Sequence, residues 1–211
     1  MSIEKAYNQW AEQYDTNKNR TRDLEAIALR ELLTWVPAGD CLEIGCGTGK
    51  NSVWLVEKCR SLTAVDLSEE MLNKAKEKLE GREVRFLQAD ITQPWSFADA
   101  SFDLVTFSLV LEHINDLDPI FSEAARCLRK GGQIYMGELH PFKQYSGTKA
   151  RFETEEGTSV VECYTHNSSD FIHAAERAGM RVRTLNEYFD EGDRSSIPRI
   201  LAITFAKADM Q

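Results

Sequence analysis

The stretch CLEIGCGTGKNS, residues 41–52, constrains the fold more than any other part of the chain. A short apolar run, Cys41–Ile44, meets three glycines at alternate positions, Gly45, Gly47 and Gly49, and a helical segment follows. Glycines there permit positive φ and bring the main chain against a ligand with no side chain between. In open α/β sheets the ligand crevice lies at the carboxyl ends of the strands, where this loop falls. Two phosphate-binding patterns fail on the same residues. The dinucleotide fingerprint G-x-G-x-x-G needs a third glycine where Lys50 stands. The P-loop needs Gly-Lys followed by Ser or Thr, and here Asn51 follows.

The rest of the chain repeats strand and helix. Leu62–Val65, Val84–Gln88 and Phe102–Ser108 read as strands, the last apolar almost throughout, as a strand buried on both faces is. A helix after Ser68 buries Met71, Leu72, Ala75 and Leu79 and stops at Gly81. Asp118-Pro119 reads as an N-cap with proline at the first helical position, opening a helix that runs to Arg129-Lys130 and stops at Gly131. Gln133–Gly137 begins a fifth strand. Ahead of the glycine loop, residues 4–16 form a helix with Tyr7, Trp10, Ala11 and Tyr14 on one stripe. A second helix, Arg22 to Val36, turns Leu24, Ile27, Ala28 and Leu32 inward. Residues 141–165 break the rhythm and read as an inserted flap or hairpin. A helix at about Ser169–Ala178 follows, then two strands, Arg181–Tyr188 and Ile200–Lys207, that pair antiparallel at the sheet edge. Alternating strands and helices imply a parallel sheet covered on both faces.

Length and charge narrow the partners. A chain of 211 residues suits one domain, with residues 1–36 as a helical cap and 140–166 as an insert after the fifth strand. Acidic residues number 34 against 25 basic, a net charge of −9, which counts against gripping a phosphate backbone. No apolar run approaches the roughly 20 residues of a membrane span, and MSIEKAYNQWAEQYD is amphipathic rather than a signal sequence. The five cysteines, Cys41, Cys46, Cys59, Cys127 and Cys163, are scattered and make no CxxC pair, which fits a reducing, cytoplasmic setting.

Carboxylates follow the strands. Asp66 ends the second strand roughly 20 residues beyond the loop, where a carboxylate accepts hydrogen bonds from ribose hydroxyls. Asp90 ends the third, and Glu43 lies in the first beside the glycines. Five pieces in this order, EIGCGTG (43–49), AVDLSEEML (64–72), FLQADI (86–91), FDLVTFSLVLEHI (102–114) and LRKGGQIYMGEL (128–139), resemble the class I S-adenosylmethionine-dependent methyltransferases, nearest to the ubiquinone-biosynthesis-like, small-molecule branch. The resemblance covers about residues 35–140. It implies a Rossmann-like, doubly wound sheet of seven strands, mostly parallel, with one antiparallel strand in the edge region. It also implies S-adenosylmethionine as cofactor and the following roles. The loop Gly45-Cys46-Gly47-Thr48-Gly49 passes the methionine part, and Glu43 stands beside it. Asp66 holds the ribose and Leu67 packs on the adenine. Asp90 bonds the adenine amino group with Ile91 beside it, and Ser108 offers its main chain near the methionine amino group. Tyr14 covers the methionine end.

The acceptor side is read from single residues, each with a second meaning. Trp10 and Tyr14 are a lid or ordinary packing. His140, at the carboxyl edge after the fifth strand, is a general base or the residue that turns the chain before Pro141. His113 shapes the floor of the site. Tyr145, Tyr164 and His166 line an acceptor pocket or belong to a surface loop. His140 and His166 lack a third ligand at suitable spacing, so no metal is expected. The expected activity is methyl transfer to a small-molecule acceptor by a monomer or homodimer. Competing readings are an RNA or protein methyltransferase of the same fold and a non-catalytic binding module. Nucleic-acid base methylation often uses an Asn/Asp-Pro-Pro-aromatic tetrad after the fourth strand. SLVLEH stands there instead.

Overall fold

A computed structural model describes residues 2–16, 18–34, 39–148, 151–154 and 157–207, with backbone alone at 151–154 and 157–160. The central strands are β1 (Asp40–Ile44), β2 (Ser61–Asp66), β3 (Val84–Gln88), β4 (Phe102–Ser108) and β5 (Leu128–Leu139). With β8 (Met180–Tyr188) and β9 (Ile200–Lys207) they form one seven-stranded sheet in the order β3-β2-β1-β4-β5-β9-β8. The first five are parallel to one another, and β9 runs antiparallel to both β5 and β8. The expected antiparallel strand is therefore β9. It lies inside the sheet, and β8 takes the edge.

Chain order reverses at β1, which pairs with β2 on one side and β4 on the other. This is the switch point at which open α/β sheets place their ligand crevice. Leu42, Ile44, Val105 and Phe107, all buried, come from adjacent strands and enter the main core with Phe121 and Phe205. Burial on both faces explains the near-continuous apolar character of β1 and β4.

Helices α1 (Ile3–Tyr14) and α2 (Arg20–Leu33) precede the sheet. Helix α3 (Ser52–Leu55) is a single turn after the glycine loop, and α4 (Glu69–Lys78) is capped by Ser68, whose Oγ accepts from Met71 N. Polar bonds fasten α1 along α4: Ser68 to Asn8 at 2.6 Å, Lys74 to Glu12 at 3.0 Å and Lys78 to Asp15 at 2.7 Å. Trp10, Ala6 and Ala11 fill the seam against Met71 and Val161. Helix α5 (Leu117–Cys127) leads straight into β5. After it come α6 (Pro141–Tyr145), the hairpin β6 (Arg151–Thr154) and β7 (Gly157–Val160), and α7 (Ser168–Arg177). The expected flap is thus a short helix and a two-stranded hairpin.

Four local expectations are corrected. Helix α2 begins at Arg20, because Asn19 Oδ1 accepts from Thr21 N and Arg22 N. Its buried face holds Glu25, Ala28, Leu29 and Leu33, while Ile27 is exposed. The stripe is rotated because Glu25 is bonded inside the protein. Residues 35 and 36 of the expected helix lie outside the described residues. At α5 the cap is Asp116, which accepts from Asp118 N, so Pro119 falls within the first turn, where a missing N–H breaks no helical bond. That helix ends at Cys127 rather than Lys130. Gly131, at φ +77°, lies within β5, where the pairing with β4 shifts register between Phe102 and Leu104.

Candidate active site

The glycine loop hangs from the neighbouring strand. Gly45 N and Cys46 N both donate to Val65 O, at 2.8 and 3.0 Å. Gly45, Gly47 and Gly49 all have positive φ, at +71°, +54° and +79°. A Cβ on Gly45 would meet Val110 Cγ2 at 2.7 Å, so the loop cannot carry one there without moving its neighbour. On Gly47 the nearest atom would be Tyr14 Cε1 at 3.9 Å, which leaves the backbone facing open space.

That space is a cavity of about 380 Å³, in the size range of roughly 300–1,000 Å³ usual for small-molecule sites. Tyr14, Gly45, Gly47, Asp66, Leu67, Asp90, Ile91 and Ser108 line it, together with His113. Ser2, Ile3, Glu4 and Tyr7 of the amino-terminal segment add to the wall. Asp66 Oδ2 accepts from Gly47 N at 2.8 Å and Oδ1 from Ser68 N at 2.9 Å. Each carboxylate oxygen has room for a second donor. Burial raises the Asp66 pKa from its ordinary value, and the N–H groups of Ser68, Gly47 and Leu67 oppose that rise. Asp90 Oδ1 accepts from Thr92 N and Oγ1, at 2.9 and 2.7 Å, which spends neither bond on Oδ2.

Three cofactor-side expectations lie behind the loop rather than in the cavity wall. Glu43 is buried and accepts the Ser52 hydroxyl, and burial pushes its pKa up to about 8. Cys46 packs against Ala64 and Leu72. Gly49 lies against α4, where a Cβ would come within 3.2 Å of Ala75 Cβ. Ser108 is tied inward, since Asn51 Nδ2 reaches both Ser108 Oγ at 3.3 Å and Glu25 Oε2 at 2.8 Å. Tyr135 donates to the other Glu25 oxygen at 3.0 Å.

Residues 42–136 match the methyltransferase domain family. Over 219 aligned positions the chain is 28% identical to an uncharacterized methyltransferase of Emericella nidulans, covering 86% of this chain and 76% of that one. It is 36% identical over 101 residues to a ubiquinone biosynthesis O-methyltransferase of Idiomarina loihiensis, covering 47% of this chain and 42% of that one. The crystal structure of an S-adenosylmethionine dependent methyltransferase from Mesorhizobium loti has the same fold. Its TM-score is 0.72 at 20% identity, covering 85% of this chain and 96% of the other. Residues 42–136, which hold the glycine loop and the carboxylates of the cavity, are thus similar to the class I S-adenosylmethionine-dependent methyltransferases. The cavity fits that cofactor by its donor set: paired carboxylate acceptors at Asp66, apolar walls at Leu67 and Ile91, and a bare backbone at Gly47.

The other expected site residues are spread more widely. His113 is in the wall, as expected, and is pinned there. Its Nδ1 lies 2.8 Å from Glu162 O and its Nε2 2.7 Å from Tyr7 Oη. Trp10 is buried, stands edge-on to Tyr14 at 4.8 Å, and lines a second cavity of about 430 Å³. Tyr7, Tyr14 and Leu109 are common to both cavities.

His140 lines neither cavity. It caps α6, with Nδ1 accepting from Phe142 N at 3.2 Å and Nε2 donating to Glu187 Oε1 at 3.1 Å. Burial lowers its pKa, with Glu187 acting in the opposite sense. The expected base is thus a capping residue with both ring nitrogens engaged. Tyr145 is exposed and bonds Asn167, and the Tyr164 backbone donates to Glu112 O at 2.7 Å. His166 is buried, with Nε2 on Ile114 O at 2.7 Å. None of these three lines either cavity.

Sequence reasoning missed Glu112 and Cys163. With His113 their ligand-type atoms lie within 4.8 Å of one another. Both His113 nitrogens already have partners there, so the trio as built offers no imidazole lone pair to an ion. In the sequence Tyr7 stands out only as a member of the α1 stripe. Its reach to His113 links positions 106 residues apart, which no local spacing reveals.

Proposed function

We propose that this methyltransferase, a single domain over residues 1–211, transfers the methyl group of S-adenosylmethionine to a small-molecule acceptor with an oxygen, nitrogen or carbon nucleophile, releasing S-adenosylhomocysteine. The observation that carries this reading is the cavity at the carboxyl ends of β1, β2 and β4, with eight of the eleven expected cofactor-side residues in its wall. S-adenosylmethionine supplies a methyl group already activated by its positive sulfur. The protein's task is to bind, align and keep water out. Asp66 accepts the two ribose hydroxyls on the free positions of its two oxygens. Leu67 and Ile91 sandwich the adenine, and Asp90 accepts from its amino group. The backbone from Gly45 to Gly49 and that of Ser108 border the methionine part. Tyr14 and Tyr7, on α1, close the same space.

The acceptor belongs in the second cavity, against the shared wall of Tyr7, Tyr14 and Leu109. Trp10 is a wall of that cavity. His140 is left out of proton transfer, since its nitrogens are engaged away from both cavities. A small acceptor is supported by the O-methyltransferase among the relatives, by the net charge of −9, and by the SLVLEH segment where base methylation commonly uses an Asn/Asp-Pro-Pro-aromatic tetrad. No nucleic acid or membrane partner is proposed. No helix among the described residues is long and apolar enough to cross a membrane. We assign a cytoplasmic monomer or homodimer.

Calorimetric titration tests the reading. S-adenosylmethionine and S-adenosylhomocysteine bind, and NADH does not. Binding of NADH, or of none of the three, overturns it.

A further inference from the structure

The second cavity is basic in an acidic protein. Lys18, Arg20, Arg22 and Arg199 contribute to its wall, against one carboxylate, Glu112. The four come from three places: the segment before α2, the first turn of α2, and the residue preceding β9. Among the described residues neither Lys18 nor Arg20 makes an ion pair within 4.0 Å, although Arg20 stands near enough to Asp190 for its charge to help lower the Asp190 pKa. Arg199 is paired with Asp190, which lies outside the cavity wall, and its Nη1 takes Thr21 Oγ1 at 3.1 Å. Arg22 stacks its guanidinium 3.9 Å from the centre of the Tyr14 ring, at the wall shared with the cofactor cavity. Guanidinium groups match carboxylate and phosphonate oxygens in pairs, and a cluster of one sign in a cleft concentrates counter-ions.

Glu112 does not cancel this charge. It is 7% exposed, and burial moves its pKa upward, toward the neutral acid. Its Oε2 is buried with no hydrogen-bond partner. Such an atom is costly unless something in the cavity meets it. A ligand with an anionic group for the basic wall and a polar group for Glu112 satisfies both.

We infer that the acceptor is a small organic anion, a carboxylate or phosphonate, held in the second cavity by Lys18, Arg20, Arg22 and Arg199 with its methyl-accepting end toward Tyr14. This rests on the methyltransferase reading of the first cavity.

The test titrates malonate, methylphosphonate and the neutral analogue malonamide into the protein, with and without saturating S-adenosylhomocysteine. At least one of the two anions binds at least tenfold more tightly than malonamide. Lys18 and Arg20 are exposed, so Lys18→Gln/Arg20→Gln is a variant expected to fold. It loses at least tenfold in affinity for that anion while the Kd for S-adenosylhomocysteine stays within twofold. Arg199→Gln provides a second, independent loss. Malonamide binding as well as malonate, no binding of either anion, or equal anion affinity in wild type and both variants overturns the inference. Failure of S-adenosylhomocysteine to bind overturns the cofactor reading instead, and the anion titration without it still judges the basic cavity.

Discussion

The Tyr7 hydroxyl donates to His113 Nε2 across 2.7 Å, and this bond joins α1 to the short 3-10 turn after β4. The direction follows from the other ring nitrogen. Glu162 O is a carbonyl and only accepts, so Nδ1 of His113 carries the proton and neutral Nε2 is the acceptor. Both residues line the cofactor cavity, so the bond acts as a latch on its amino-terminal wall. Tyr7→Phe removes the latch and leaves a buried acceptor, which costs about 1–3 kcal/mol of stability. It also speeds release of S-adenosylhomocysteine. Urea unfolding and stopped-flow displacement measure the two effects, and unchanged release would detach the latch from ligand retention.

Asp66 carries two structural bonds and, in the proposed reading, two ligand bonds. Asp66→Asn keeps the shape of the side chain but turns one oxygen into a donor that faces an N–H or a hydroxyl. The affinity for S-adenosylhomocysteine falls by about 1–3 kcal/mol. Equal Kd values by calorimetry for the variant and the wild type would remove Asp66 from the ribose site.

His140→Asn separates capping from catalysis. Asparagine is among the best N-cap residues, so α6 keeps its first turn. Turnover on the true acceptor stays within about twofold of wild type, because no proton passes through this ring. A fall of about a hundredfold or more in kcat, the range of general acid–base contributions, would restore the base role.

How far the sequence spoke depends on whether a residue's role is local. The strand–glycine–helix pattern at 41–52 and the carboxylates at strand ends are local, and Asp66, Asp90 and Ser108 lie in the cavity wall as their positions implied. The last two strands read as an antiparallel pair at the sheet edge, and they are one; which of them lies outermost is not legible, because the insertion of β9 between β5 and β8 is a choice of pairing partner rather than of local conformation. His140 and Tyr145 lie next to the site in sequence. Their bonds to Glu187 and Asn167 are made to elements that arrive later in the chain. Glu25 breaks the apolar stripe of α2 for the same reason, since Asn51 and Tyr135, far along the chain, make it a buried residue.

Glu43 gives stability a pH dependence with a definite sign. Its folded pKa is about 8, whereas an unfolded glutamate titrates near 4.3. Between those values the folded protein holds a proton that the unfolded chain has released. Stability therefore falls as pH rises through this window and is fully present below it. Glu138, also buried and pushed to about 8, acts in the same direction. Glu43→Gln keeps an acceptor for the Ser52 hydroxyl and has no charge to desolvate. The variant is more stable than wild type at pH 8 by an amount on the order of a few kcal/mol. Its stability also varies less between pH 5 and 8, with the remaining slope left to Glu138 and the other carboxylates. Urea unfolding at pH 5, 6.5 and 8 reads both quantities. A variant whose slope equals that of wild type would show that Glu43 is ionised in the fold throughout.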